Sequence, residues 1–253
     1  AMSLATNKPY GVNFLMPFLD RDAVVAAASC PLVEFFYADP DADLVGLVHS
    51  GGALASWQVG SADEARAAVD AGCDLVIVQG AEAGGHVRGT KHLADVLAET
   101  VSVVTIPVVA AGGIGDQTQV KNAIDAGASG VRIGTRFLAA TESSAHPDYI
   151  AALIEATGDD TVLTEAFSVG WPNAPHRVLR SCVEAAGRST NDFVATGFRE
   201  GEGFPIPRFA PTPPSNTVTG DVAAMALYAG LSVDAVRSRQ SAADIIAELC
   251  TKN

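Results

Sequence analysis

Along the first half of the chain, short runs of consecutive apolar residues alternate with longer segments in which apolar positions recur at helical spacing. Runs that stay apolar position after position are expected of strands buried on both faces, and the segments between them of the helices that cover those faces. Six such strands are predicted: Tyr10–Met16, Leu32–Ala38, Ala53–Val59, Asp74–Gly80, Pro107–Gly113 and Gly130–Phe137. Helices are predicted at Asp22–Ser29, Asp41–His49, Ser61–Ala71, His92–Val101 and Asp116–Ala126. The loops are short enough for repeated strand-helix-strand units, so the strands should lie parallel in an α/β fold. Ser61 and Glu64 have the spacing of a capping box at the third helix. Ala71-Gly72-Cys73 and Ala126-Gly127-Ala128 each sit between a helix and a strand, where a left-handed glycine closes the helix.

Beyond Phe137 the strand signal fades. Helices are predicted at His146–Thr157, Arg177–Gly187, Gly220–Ala229 and Ala242–Cys250, with no regular structure through Phe204–Pro214, where five prolines fall. The expected division is a barrel portion over residues 1–142 and a helical region over residues 143–253 that covers the barrel mouth.

Composition narrows the function. The chain has 253 residues, 48% of them hydrophobic, enough to bury a full-sized core. Its 16 basic and 29 acidic residues give a net charge of −13, which repels nucleic acid and anionic lipid. Cys30, Cys73, Cys182 and Cys250 stand singly, with no metal-ligand spacing, and read as reduced core thiols. No apolar stretch reaches the ~18 residues of a membrane span, and no signal peptide is evident, so a cytoplasmic protein is expected.

Three motifs carry chemistry. Gln79-Gly80-Ala81-Glu82-Ala83-Gly84-Gly85-His86 follows directly on a strand. Its glycines let backbone approach a ring or phosphate, and His86 falls at the C-terminal edge of the strand, where barrel enzymes keep catalytic groups. Ala110-Ala111-Gly112-Gly113 and Arg132-Ile133-Gly134-Thr135 each end a strand in a glycine turn. Together they resemble the phosphate site that follows the last two strands of such barrels. Neither matches a Rossmann or P-loop fingerprint.

These pieces resemble the nitronate monooxygenases, formerly called 2-nitropropane dioxygenases. The likeness takes in Gly11-Val12-Asn13-Phe14, the Gln79–His86 block, Ala110–Gly113, and Gly134-Thr135-Arg136-Phe137-Leu138. It continues through Asp160–Thr164 and Thr219-Gly220-Asp221 to Met225–Gly230. The resemblance implies a TIM (β/α)8-type barrel that binds FMN and oxidises alkyl nitronates, or nitroalkanes, with O2 to a carbonyl compound and nitrite. At matching positions Asn13, Gln79 and Gly84 would hold the isoalloxazine side, and Gly85 is a further cofactor-binding candidate. Gly112, Gly113, Gly134 and Thr135, with the backbone of Arg132 and Ile133, would hold the phosphate. His86 matches the catalytic histidine, a base or an anion partner with a pKa near neutrality. Tyr228 is a candidate to face the substrate, while Trp57 and Trp171 are expected to pack, and His146 and His176 to be loop or capping residues.

Here Val87 stands between His86 and Arg88-Gly89, where the family reads Gly-Gly-His-Arg-Gly. The family also has two strand-helix units ahead of its Gly-Val-Asn-Phe segment, roughly 60 residues at barrel spacing. The expectation is therefore a barrel sequence given without those two units, with Ala1–Ala5 the end of a helix. The same motifs also resemble an FMN- and NADH-dependent enoyl-acyl-carrier-protein reductase or an NADH:quinone reductase, although Gln79 departs from the Glu-Gly of the former. A barrel that binds a phosphorylated metabolite without redox chemistry stays open. The sequence does not fix the oligomeric state.

Overall fold

A computed structural model of the chain describes residues 8–250, in two compact units. The segment Ala1–Ala5, expected to end a helix, lies outside the described residues. Among the described residues the first unit comprises 8–80, Arg88–Ala111 and Ala123–Arg132; the second comprises Ala81–Val87, Gly112–Asn122 and 133–250.

In chain order the first half reads β1 (Gly11–Leu15), α1 (Arg21–Ala27), β2 (Leu32–Phe36), α2 (Ala42–Ser50), β3 (Leu54–Val59), α3 (Ala62–Asp70) and β4 (Leu75–Gln79). It continues with β5 (Gly85–His86), α4 (Leu93–Val101), β6 (Val108–Ala111), α5 (Gln117–Asp125) and β7 (Gly130–Arg132). All six predicted strands and all five predicted helices are present, with the strands trimmed at their ends. The last is cut most. Predicted to run to Phe137, it stops at Arg132, and Thr135–Leu138 forms a helical turn, α6.

The first unit is one parallel sheet in the order β1-β2-β3-β4-β6-β7. Its strands are apolar on both faces because helices cover one side and the concave interior the other: Val33, Phe35, Trp57, Val76, Val78 and Ala110 are fully buried. The helix starts are encoded locally. Asp20 and Asp41 accept N–H bonds at α1 and α2, and Ser61 accepts from the Glu64 N–H at α3. The predicted capping box is half reciprocal, since the Glu64 carboxylate turns to the N–H of Gly60 at 2.7 Å. The helix stops are equally local. Gly72 (φ 93°) and Gly127 (φ 100°) close α3 and α5 in Schellman turns: Cys73 N–H bonds Ala68 O at 3.0 Å with Gly72 N–H on Val69 O at 2.9 Å, and Ala128 N–H bonds Ala123 O at 3.1 Å with Gly127 N–H on Ile124 O at 2.9 Å.

One side-chain contact proves that this sheet curls. The Arg132 guanidinium on β7 bonds the Glu34 carboxylate on β2 and, at 2.9 Å, the Gln58 amide oxygen on β3. Four strand spacings separate β2 from β7, ~19 Å in a flat sheet at ~4.8 Å each, far beyond the combined reach of the two side chains. The strands therefore wrap as part of a barrel wall, with Arg132 crossing its concave face.

The second unit has more strand than the sequence predicts. After α6 come α7 (Pro147–Glu155), β8 (Thr161–Thr164), β9 (His176–Leu179) and α8 (Arg180–Arg188). Then follow β10 (Phe193–Arg199), β11 (Glu202–Pro207), β12 (Thr219–Gly220) and α9 (Ala242–Cys250). The helices predicted from residues 146, 177 and 242 are found, the second shortened because residues 176–179 are a strand. The helix predicted at Gly220–Ala229 is not found: Thr219–Gly220 pairs with β10, and Tyr228 bridges to Val178 on β9. The proline-rich stretch, expected to be irregular, begins in a strand. Pro205 and Pro207 lie in β11, the outer strand of a sheet ordered β11-β10-β12, where a residue without an N–H is tolerated. A second antiparallel sheet, ordered β5-β9-β8, packs with α7 and α8 on a core of Tyr149, Phe167, Leu179 and Met225. Cys73 and Cys182 are buried as expected, whereas Cys30 is half-buried and Cys250 exposed. Among the described residues no helix is long and apolar enough to cross a membrane.

Candidate active site

His86 is held in the second unit by strand pairing. In the β5-β9 pair Gly85 lies opposite Arg177 and His86 opposite His176, and Val87 N–H continues the ladder to Pro175 O at 2.8 Å. Upstream, the Arg177 guanidinium donates to Ala81 O at 2.8 Å, and Leu231 N–H donates to Glu82 O at 3.0 Å. Gly84 is required by a backbone crossing: a Cβ there would lie 2.4 Å from Gly230 N. Gly85 (φ 79°) is required by its conformation alone, since a Cβ on it meets nothing within 4 Å.

Three rings meet His86. The Trp171 indole stacks on the imidazole at 3.8 Å between centroids and 17° between planes, His176 lies at 5.1 Å and Tyr228 at 5.7 Å. Burial among these rings, with His176 second, pushes His86 down to about 4. Both causes favour the uncharged imidazole over the near-neutral titration that the resemblance implies.

His176 was expected in a loop or cap but is fully buried in β9. Its Nδ1 donates to Ala174 O at 2.8 Å, and its Nε2 accepts the Phe167 N–H at 3.2 Å. A carbonyl can only accept and an amide N–H only donate, so the ring is the neutral Nδ1–H tautomer. Burial lowers its pKa, partly offset by the bond to Ala174 and the charge of Glu165. Tyr228 commits its hydroxyl to Pro211 O at 2.9 Å, and burial raises its pKa, so it presents a ring rather than an acid to His86. His146 caps α7 as expected, and Trp57 is core, its N–H on Ala38 O at 2.9 Å.

The two glycine turns leave neighbouring strands whose last paired residues are Ala111 and Arg132. Gly112 (φ 103°) and Gly113 (φ 70°) adopt backbone that other residues avoid. A Cβ on Gly113 would also meet the Glu82 Cβ at 2.9 Å. At Gly134, φ is −109° and a Cβ meets nothing within 4 Å, so this turn faces open space without conformational need for glycine. The Thr135 hydroxyl accepts the Gly230 N–H at 3.0 Å. The start of α5 satisfies itself. The Gln119 amide oxygen takes the N–H groups of Gly115 and Asp116, and the Asp116 carboxylate takes that of Gln119.

The first unit holds the other three expected residues. Asn13 and Arg132 converge on Glu34, with Asn13 Nδ2 at 2.6 Å from its carboxylate. Gln79, buried at the end of β4, accepts the Arg88 N–H at 3.4 Å. Arg88, displaced by Val87 from its place in the expected motif, is bound to Glu64 at 2.7 Å and to Asp39.

A family model, "Nitronate monooxygenase", matches residues 2–252. The chain belongs to the nitronate monooxygenase family. It is 29% identical over 239 residues to a probable nitronate monooxygenase of Bacillus subtilis (strain 168), covering 87% of this chain and 63% of that protein. It is 35% identical over 182 residues to a (3aS,4S,5R,7aS)-5-hydroxy-7a-methyl-1-oxo-octahydro-1H-indene-4-carboxyl-CoA dehydrogenase of Mycobacterium tuberculosis, covering 70% of this chain and 50% of that protein. The chain thus spans about half to five-eighths of the length of these relatives. Among solved structures it resembles FabK from Thermotoga maritima, with a TM-score of 0.75, 26% identity and coverage of 98% of this chain and 76% of that one. It also resembles the nitroalkane oxidase from Streptomyces ansochromogenes, with a TM-score of 0.72, 27% identity and coverage of 96% and 80%. These likenesses agree with the strand-helix wall described above.

Proposed function

We propose that the protein is an FMN-dependent oxidoreductase that oxidises alkyl nitronates with O2. The observation that carries the reading is a pair of glycine turns in the second unit, the unit that also seats His86. Gly112 and Gly113 have positive φ, and Gly134 opens onto space a Cβ would fill. Such turns suit a phosphate, whose oxygens need close approach to backbone amides. Gly112, Gly113, Ile133, Gly134 and Thr135 would hold the FMN phosphate. The bound flavin would supply the two-electron chemistry that no side chain here provides.

His86 then serves as an uncharged group. It can accept a proton from the acidic carbon of a neutral nitroalkane, or donate a hydrogen bond to a nitronate oxygen, and an ion pair with the nitronate is the less favoured role. The β5-β9 pairing fixes the backbone that carries the ring, while Trp171, His176 and Tyr228 make its surroundings aromatic.

The test is spectroscopic, then kinetic. The purified protein should absorb near ~450 nm as a flavoprotein and consume O2 on addition of a nitronate without NADH. A protein that binds no FMN, or one whose flavin is bleached by NADH and ignores nitronates, overturns the proposal. A second reading, dehydrogenation of a carboxyl-CoA substrate, draws on the 35% identity to the mycobacterial dehydrogenase. Anaerobic bleaching by such a thioester, with nitronate inert, would select it.

A further inference from the structure

We propose that Trp171 is a positioning residue for His86: its indole covers one face of the imidazole, and His176 staples shut the loop that carries it. This rests on His86 being the working group of the proposed site.

The loop is built for the purpose. Ser168-Val169-Gly170-Trp171 is a turn closed by Trp171 N–H to Ser168 O at 3.0 Å, with Gly170 at φ 79°, the third position of a type II turn. Val169 N–H is bonded to Phe209 O at 3.2 Å. The two nitrogens of His176 reach the two ends of the same loop, Phe167 on one side and Ala174 on the other. A proton on Nε2 would set two donors against each other there. The staple therefore holds only while His176 is neutral, and the burial of that ring keeps it so.

The stacked indole does two things to His86. It fixes the ring plane, and it withholds water from a group whose charged form needs it. The ionisable groups around His86 are few. His176 faces it from β9, with Arg177 beside it, and Tyr228 faces it from the bridging segment. Glu82 lies on its own loop and acts on Arg177, and Glu165 acts on His176. Burial comes ahead of His176 in holding the imidazole uncharged. Trp171 lies flat on it and is itself only 6% exposed.

The measurement is the NMR titration of the His86 ring in the whole chain, assigned by its loss in His86→Gln. No flavin or substrate is required, so failure here is distinguishable from failure of the nitronate assay. In the parent, His86 should show no inflection above about pH 5. Trp171→Ala should raise its inflection by at least about one unit, and Trp171→Phe, which keeps a flat ring, should restore most of the parent behaviour. If Trp171→Ala does not fold, Trp171→Leu takes its place and should show a smaller rise in the same direction. An unmoved inflection in a folded Trp171→Ala or Trp171→Leu variant overturns the proposal, as does a Trp171→Phe variant that titrates like Trp171→Ala.

Discussion

Alanine at Gly134 and alanine at Gly84 add the same carbon atom to two turns of the second unit, and opposite outcomes are expected. At Gly134 the backbone is at φ −109° and the new carbon meets nothing within 4 Å. The folded state bears no strain, while the unfolded chain loses freedom, a gain of about 0.4–1 kcal/mol. At Gly84 the carbon would stand 2.4 Å from Gly230 N and 2.7 Å from the Ala229 carbonyl carbon. Overpacking of this kind costs about 1–3 kcal/mol even where neighbours can shift. Here the neighbour is backbone tied to β9 and to Glu82 O. The two variants should thus differ by about 1.4–4 kcal/mol, or roughly 3–16 °C in Tm for a chain of this size. Thermal unfolding followed by circular dichroism measures the difference, and FMN titration of the same samples adds the functional half. Gly134→Ala should fold and bind FMN at least about tenfold more weakly, a loss of about 1.4 kcal/mol. A destabilised Gly134→Ala, or a Gly84→Ala with the parent's Tm, refutes the packing. A stable Gly134→Ala with undiminished FMN affinity refutes the phosphate placement.

Three further outcomes are expected. His86→Ala should retain flavin, and its turnover of nitronate should fall by about 10²–10⁴-fold, read from steady-state O2 uptake. Glu34→Ala strips Arg132 and Asn13 of their shared acceptor; because Arg132 stays 42% exposed, the loss should be about 1–3 kcal/mol, below the ~3–5 of a fully buried pair, and visible as a lower urea midpoint. His86 binds its proton at about 4 when folded but near ~6.5 when unfolded, so between those values the unfolded chain holds more protons. Its contribution to stability is whole above ~6.5 and is lost as the pH falls toward 4, so the urea midpoints of the parent and His86→Gln should converge or cross as the solution is acidified.

The parallel half of the fold was legible because its signals are local. An apolar run, a capping Asp or Ser and a closing Gly each act within a few residues, as at Asp20, Ser61 and Gly72. The second unit hid its strands because β5, β9 and β12 are two to four residues long and depend on partners far along the chain. Residues 204–207 read as irregular because proline forbids inner strands, whereas β11 is an outer one. At the site, the motif around His86 located the histidine but not its environment. Neither Trp171 nor His176 carries a spacing relative to it: the β5-β9 register sets the contact of His176, and the loop ahead of β9 brings in Trp171. Glycine motifs also mixed two causes. Gly84 answers to the passage of Gly230, Gly113 to its own φ and to Glu82, and Gly134 to neither, which makes Gly134 the position at which a ligand is best tested.

The crossing of Gly84 and Gly230 is reciprocal: a Cβ on Gly230 would lie 2.7 Å from Gly84 N and from Glu82 O. Gly60 and Gly89 cross in the same manner in the first unit, each barring a Cβ on the other at 2.4–2.5 Å. Both members of each couple are already at the smallest size a residue can have. A genetic screen for suppressors of damage at one of them therefore cannot recover a repair at the other by trimming it. Rescue has to come from displacing a whole segment, and these four codons are expected to tolerate drift only together with the loops that carry them.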